Sequence, residues 1–292
     1  MVKSIADLYL DTRKALLQSE DAQTAAFLAR NVVSFATGIP QERILTGQQI
    51  YATQEQCLSA ESCVVRLLQG EPLAYIVGTW DFYGMELKIT RDVLIPRDDT
   101  CAVASLAIKH GLFLPSAPRI LDLCTGSGCI GLAIANHIKD AKVTLADISA
   151  DALAVAKKNV SGQKLNGRVS CVVCDALKAA PAFLGKFDMI VSNPPYITTQ
   201  EMQQLPRSVS DYEPHLALHG GNDGLDFYRA IVENYSSVLK VNGFLCFEFG
   251  MGQGDDVCRI LEARGYAVIE RVKDYNERER AVIAQFIRKE EN

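Results

Sequence analysis

The segment Ile120-Leu-Asp-Leu-Cys-Thr-Gly-Ser-Gly-Cys-Ile-Gly131 constrains this chain more than any other. An aliphatic run enters a turn of small residues and leaves it as a second apolar stretch, which reads as strand, glycine turn, helix. The alternation continues downstream. Strands are predicted at 120–123, 143–148, 169–174, 189–192 and 244–249, and helices at 98–110, 130–137, 151–160, 225–239 and 255–263, with Gly265 closing the last. Strand and helix in strict alternation imply an α/β fold, a parallel sheet with helices on both faces. Two further strands, 267–272 and 281–286, flank a polar turn and complete a mostly parallel seven-stranded sheet with an antiparallel edge hairpin. The charges at 277–280 read as a solvated turn, and 289–292 as a solvated tail.

Upstream the pattern differs. Ile5, Leu8, Tyr9, Leu16 and Leu17 recur at helical spacing, as do Ala25, Phe27, Leu28, Val32 and Phe35. Gly38-Ile-Pro40 breaks the second helix, Thr53-x-x-Gln56 forms a capping box for a third that runs to Leu68, and Gly70-Glu-Pro72 ends it. Aromatic and aliphatic residues around Gly84 then suggest a β-hairpin. The expected organisation is a helical domain over 1–78, a hairpin linker over 79–97 and an α/β domain over 98–292.

Length and composition narrow the class. At roughly 150 residues per domain, 292 residues make about two. No apolar run approaches the ~18–20 residues of a membrane span, and Asp7 and Asp11 interrupt any signal-peptide pattern. The net charge of −5 disfavours a long nucleic-acid contact. Nine scattered cysteines read as reduced thiols of a cytoplasmic protein. Cys171 and Cys174 lie three apart on a strand, hence on opposite faces, and are expected to be core thiols. No metal site is expected there or at His215 and His219.

The glycine turn, Cys124, Thr125, Gly126, Ser127 and Gly128, offers close backbone approach and a helix N-terminus. Asp147 ends the next strand, 147 − 126 = 21 residues on, where a carboxylate reaches ribose hydroxyls. Gly126-x-Gly128-x-x-Gly131 also matches a dinucleotide fingerprint, so the turn alone admits NAD or S-adenosylmethionine. Asp122, on the strand before the turn, tilts the choice, because only S-adenosylmethionine carries an ammonium group. Asp175 is placed to take an adenine amino group or to cap the segment that follows.

Asn193-Pro194-Pro195-Tyr196 follows the fourth strand, at the carboxyl edge where open parallel sheets bind ligands. The prolines hold Asn193 extended and leave carbonyls free. The Asn193 side-chain oxygen and the Pro194 carbonyl can accept the two N–H bonds of a planar NH₂ group. Its lone pair is then aimed at a methyl donor, and both bonds strengthen as the nitrogen gains positive charge. Pro195 and Tyr196 complete the binding loop, with the Tyr196 ring placed to pack on the planar group.

The tetrapeptide resembles the signature of methyltransferases acting on adenine, cytosine or glutamine amino groups. Gly70-Glu-Pro-Leu-Ala-Tyr-Ile-Val-Gly78, Val93-Leu-Ile-Pro-Arg97 and Tyr212-Glu-Pro-His-Leu-Ala-Leu-His-Gly-Gly-Asn-Asp-Gly-Leu225 resemble those of the HemK/PrmC family. That resemblance implies a Rossmann-like class I methyltransferase domain and S-adenosylmethionine held by residues 124–128, Asp147 and Asn193. It further implies N5-methylation of the glutamine in the Gly-Gly-Gln motif of peptide chain release factors, with the N-terminal helices and the hairpin helping to hold the release factor; the chain is expected to act as a monomer. Two positions depart from the family: Cys124 stands where glycine is usual, and Asp98-Asp99-Thr100 where Pro-Glu-Thr is usual. Adenine-N6 methylation through the same tetrapeptide, an NAD-dependent dehydrogenase and a non-catalytic cofactor-binding module are the competing readings.

Overall fold

The computed structural model describes residues 3–46 and 50–287, so the expected tail at 289–292 lies outside it. The chain divides into two compact units, Met1–Thr79 and Trp80–Asn292.

The first unit is helical: α1 (Ile5–Leu16), α2 (Ala22–Thr37), α3 (Gln41–Ile44), α4 (Gln54–Leu68) and α5 (Leu73–Val77). Side-chain caps start the three longer helices. Ser4 accepts from the Asp7 amide, Asp21 from the Gln23 and Thr24 amides, and Thr53 and Gln56 form the expected reciprocal box at 3.2 and 2.9 Å. The buried face of α2 is Ala25, Ala29, Val32 and Val33, while Phe27 and Phe35 stay half exposed. Small residues on that face let α1 approach closely, which pattern alone weighed less than the larger phenylalanines. A short pairing of β1 (Lys3–Ser4) with β2 (Tyr51–Ala52) was not legible in so few residues, nor was α5, which Pro72 starts and left-handed Gly78 stops.

A hairpin, β3 (Thr79–Phe82) and β4 (Met85–Lys88), begins at the boundary residue Thr79 and lies otherwise in the second unit, turned by Tyr83 and Gly84, both at positive φ. A 3₁₀ turn at Asp98–Thr100 leads into α6 (Cys101–Gly111). The sheet strands are β5 (Arg119–Leu123), β6 (Lys142–Asp147), β7 (Val169–Val173), β8 (Phe187–Ser192), β9 (Leu239–Glu248), β10 (Tyr266–Lys273) and β11 (Glu279–Phe286), in the order β7-β6-β5-β8-β9-β11-β10. The first five of that order run parallel. β11 is antiparallel to both β9 and β10, so the hairpin's second strand inserts between its first and the parallel sheet.

Six further helices flank the strands or cross the loops: α7 (Cys129–His137), α8 (Ala150–Gly162), α9 (Thr199–Met202), α10 (Arg207–Ser210), α11 (Asp226–Tyr235) and α12 (Gly254–Ala263). The expected helix over 225–239 is shorter than its pattern suggested. It ends at Tyr235, passes through a 3₁₀ turn, and β9 begins at Leu239, five residues before the predicted strand. Lys240 pairs with Asp188 at 2.8 Å and Leu239 lies beside Phe187, so tertiary contacts draw the Lys-Val-Asn-Gly stretch into the sheet. Tyr228, Ile231 and Tyr235 of α11 pack against Ile190, Leu245 and Phe247 to form the core under the sheet's carboxyl edge.

Asn159 of α8 is the most buried of several side chains that hold the hairpin to this framework, with Gln163, Asn136 and Ser105 also bonded to the hairpin. Asn159 is 3 % exposed, accepts from the Lys88 amide at 2.6 Å, and donates to the carbonyls of Lys88 at 3.0 Å and Ser127 at 2.9 Å. One side chain thus ties β4 to the glycine turn. Asn159→Ala leaves three backbone groups without partners and is expected to cost about 2–4 kcal/mol in urea unfolding; a loss within the ~0.5 kcal/mol of an ordinary surface substitution would contradict this role.

Candidate active site

β5 and β8 lie side by side with Leu123 opposite Ser192, and Ser192 Oγ donates to the Leu123 carbonyl at 2.6 Å. Strand order reverses between these two, the position at which an open parallel sheet parts its loops. The register brings the glycine turn and the tetrapeptide to one crevice.

Within the turn, Cys124, Gly126 and Gly128 all have positive φ. For Cys124 that conformation costs about 1–2 kcal/mol relative to glycine. Burial raises its thiol pKa well above the usual range, and the Asp147 charge adds to that, so its proton is held more tightly than in a free cysteine. The glycines divide by task. A Cβ at Gly126 would meet nothing and this residue faces the cavity. A Cβ at Gly128 would press on Leu145 at 3.0 Å, and one at Gly131 on Leu145 at 2.3 Å, so those two glycines let α7 lie on β6.

Asp147 lines the cavity, and its two oxygens accept from the Gly126 and Ser149 amides, both at 2.9 Å. Desolvation raises its pKa against those hydrogen bonds. Asp122 stands behind the turn and not on the cavity wall. Its Oδ2 accepts from Thr125 Oγ1 at 2.6 Å and the Gly131 amide at 2.9 Å, while Oδ1 is buried with no partner. Asp175 lines the cavity and also caps the turn after β7, accepting from the Leu177 amide at 3.0 Å. The capping contact is present, and the place on the cavity wall leaves the adenine reading as an expectation.

Cys124, Thr125, Gly126, Ser127, Asp147, Asp175, Asn193 and Pro195 therefore share one cavity, whereas Asp122, Gly128, Pro194 and Tyr196 do not reach its wall. The Tyr196 ring packs on the core beside Gly250 instead of standing open to a ligand, and burial raises its phenol pKa. Half-exposed Ile148, Leu177 and Leu216, with Phe227, add apolar walls that motif reading missed. Thr100 and Glu248 were missed as well. Thr100 Oγ1 accepts from Asn193 Nδ2 at 3.3 Å, and Glu248 is a lone acid in the apolar run Phe244-Leu-Cys-Phe-Glu-Phe249, an oddity that could have marked it.

The 212–225 loop is sewn onto the tetrapeptide. Ile197 donates to the Leu218 carbonyl and Gly220 to that of Ile197, both at 2.9 Å, and Gln253 Nε2 reaches the Tyr196 carbonyl at 3.0 Å. A Cβ at Gly220 would lie 2.6 Å from the Pro195 oxygen, and one at Gly224 2.3 Å from that of Tyr196. His215 and His219 turn to Ser210 and Thr199. Arg97 pairs with buried Glu213. Arg280, expected in a solvated turn, is instead 6 % exposed: it pairs with Asp99 and Asp274 at 3.1 Å and donates to the Phe249 carbonyl. β11 carries it inward under the crevice, which a local charge pattern could not reveal.

Desolvation, opposed by the Thr125 and Gly131 hydrogen bonds and reinforced by Asp147, lifts the Asp122 pKa to about 7, against about 3.9 unfolded. Between those values the folded chain keeps a proton that the unfolded chain has lost, so this group's contribution to stability falls as pH rises and levels off above the folded pKa. Asp122→Asn mimics the neutral acid. Its unfolding free energy relative to wild type should climb from about pH 4 to about pH 7 and then plateau; a pH-independent difference would contradict the assignment.

Residues 9–78 match the family described as PrmC N-terminal domain, and residues 104–211 match Methyltransferase small domain. The release factor glutamine methyltransferase of Clostridium acetobutylicum is 41 % identical over 213 residues, 73 % of this chain and 74 % of that protein. That of Geobacter sulfurreducens is 33 % identical over 94 % of each. Among solved structures, a methyltransferase from Pyrococcus furiosus superposes with a TM-score of 0.52 at 18 % identity, covering 77 % of this chain and 98 % of its own. The hMettl16 catalytic domain bound to the MAT2A 3′UTR hairpin 6 gives 0.55 at 16 %, covering 84 and 86 %. At those identities the likeness is one of fold, a Rossmann-like methyltransferase sheet. The identity and coverage of the sequence relatives go further: the chain belongs to the release factor glutamine methyltransferase family.

Proposed function

We propose that this chain transfers a methyl group from S-adenosylmethionine to the side-chain N5 of the glutamine in the Gly-Gly-Gln motif of peptide chain release factors. The observation that carries the proposal is the Leu123–Ser192 register, which puts Asn193 on the wall of the cavity that also holds Asp147.

The residues present fit the cofactor. Asp147 keeps lone pairs for two ribose hydroxyls after accepting from Gly126 and Ser149. Ile148, Leu177 and Phe227 offer apolar surface to an adenine ring, with Asp175 at hand for its amino group. Asp122, behind the turn with Oδ1 unpartnered, would be drawn into its ionised form by a cofactor that carries an ammonium group, which favours S-adenosylmethionine over NAD. Bound S-adenosylmethionine supplies an electrophilic methyl group.

Everything else is positioning. Asn193 Oδ1, on the cavity wall, and the Pro194 carbonyl, set back from that wall on the substrate's side, accept the two N–H bonds of the glutamine amide and turn its nitrogen lone pair toward the cofactor. Both acceptors gain strength as charge builds on that nitrogen. Pro195 closes the wall beside Asn193, and Tyr196 anchors the loop through its ring and its carbonyl. The Gly220 and Gly224 approaches keep those atoms in place. We assign the N-terminal helical unit to holding the release factor. On this reading the enzyme works in the cytoplasm as a single chain on a protein partner, to which a net charge of −5 is better suited than to a phosphate backbone.

Labelled S-adenosylmethionine should methylate a release factor but not one whose Gly-Gly-Gln glutamine is replaced. Undiminished labelling of the replaced protein sinks the proposal, and comparable transfer to a DNA or RNA oligonucleotide restores the adenine reading. Asn193→Ala is expected to lower kcat about 10²–10³-fold. Gly220→Ala, which pushes the Pro195 and Tyr196 backbone, should lower it by up to about 10²-fold without contacting substrate; wild-type kcat in that variant would show that the loop tolerates displacement.

A further inference from the structure

Gln253 stands where three loops of the second unit meet. It follows the turn Gly250-Met251-Gly252 after β9 and opens α12. Its own amide donates to the Gly250 carbonyl at 3.1 Å, and its carbonyl accepts from the Val257 amide at 3.0 Å. The backbone at this position is therefore fixed to the start of a helix of 10 residues. The side chain reaches away from that helix to three backbone groups. Nε2 donates to the Tyr196 carbonyl at 3.0 Å and to the Gly224 carbonyl at 3.5 Å, while Oε1 accepts from the Gly250 amide at 2.9 Å.

The partners dictate which way this amide points. A carbonyl only accepts and an N–H only donates, so the reversed amide would lose all three bonds. The space around it is equally specific. A Cβ at Gly224 would lie 2.5 Å from Nε2, and one at Gly250 would lie 2.9 Å from Oε1 and 3.0 Å from the Tyr196 ring. Two of its partners are thus glycines whose missing side chains leave room for this one.

The consequence falls on the tetrapeptide. The peptide group between Tyr196 and Ile197 is held at both edges, its oxygen by Gln253 and its N–H by the Leu218 carbonyl at 2.9 Å. Proline rings set φ at 194 and 195. At the other end, Asn193 Nδ2 donates to Thr100 Oγ1 at 3.3 Å. Few rotations remain between these two anchors, and they decide where the Pro194 carbonyl points. Gln253 is not on the cavity wall, so it acts through the loop.

We propose that Gln253 is a positioning residue for methyl transfer: its side-chain amide locks the Tyr196 carbonyl between the 212–225 loop and the turn before α12, and so fixes the direction of the Pro194 carbonyl. Its effect on rate rests on the glutamine-methylation reading, whereas the clamp itself does not.

Two variants of the full-length protein test this. Gln253→Met keeps the length of the side chain and removes all three bonds. Gln253→Glu keeps the acceptor for Gly250 and turns a carboxylate toward two carbonyls. Amide hydrogen exchange reads the clamp directly: the Ile197 and Gly220 amides, which pair the tetrapeptide's exit with the 212–225 loop, should exchange at least about tenfold faster in both variants. Unchanged exchange at both amides overturns the proposal whether or not the protein methylates release factors. In the methylation assay, kcat per S-adenosylhomocysteine-binding site should fall by about 10- to 100-fold in both variants, with the dissociation constant for S-adenosylhomocysteine little changed. Wild-type kcat in Gln253→Glu overturns the proposal, because filling the space would then suffice. A loss of cofactor affinity that matches the loss of rate overturns it as well, because the whole site would then have loosened. Transfer to release factors by wild type, assayed alongside, tests the glutamine reading separately.

Discussion

The parallel pairing of β5 with β8 is the interaction on which the crevice depends. One residue of slip would turn every side chain of one strand to the opposite face. With Leu123 opposite Ser192, the two loops that leave these strands emerge together, and the Ser192 hydroxyl bonded to the Leu123 carbonyl holds them at that point. Everything around the cavity is arranged about this pair. Asp147 steadies the glycine turn from β6, Asn159 ties the β3–β4 hairpin to that turn, and the glycine loop after Tyr212 braces the tetrapeptide.

What was legible in the sequence was what local chemistry encodes. Glycine turn, following acid and Asn-Pro-Pro-Tyr each combine residue types with a spacing, and the sheet follows from period and alternation. The missed features depend on contacts distant along the chain. Asn159 reads as an ordinary polar helix residue until Lys88 and Ser127 arrive beside it. Arg280 sits in a run of charges that looks solvated, and only the antiparallel insertion of β11 buries it. Tyr196 was assigned to the ligand side because aromatic rings stack on planar groups. The backbone at Gly250 leaves room for the ring on the core side instead. Leu239 shows the same limit for secondary structure, since its helical pattern gives way to pairing with Phe187.

Charge is distributed unevenly beneath the crevice. Asp122 and Glu248 are both fully buried carboxyls with one oxygen unpaired, a costly state unless proton uptake or a neighbouring cation relieves it. They lie behind the two halves of the site, one under the glycine turn and the other under Asn193. Natural folds tend to retain such groups where an orientation or a ligand charge must be enforced. The Asp274–Arg280–Asp99 network has the opposite character, with every member paired, and it stiffens the floor on which Asn193 stands.

Ile148, Leu177 and Leu216 stand half open to water on the cavity walls. An apolar surface that a ligand covers only in the folded chain couples ligand concentration to the folding equilibrium. A ligand at a hundred times its dissociation constant would add about 2.7 kcal/mol, a large share of a typical domain's stability. Such burial also makes the heat capacity of binding negative. The thermal resistance of this chain is then a property it shares with whatever supply of cofactor surrounds it, rather than one its sequence sets alone.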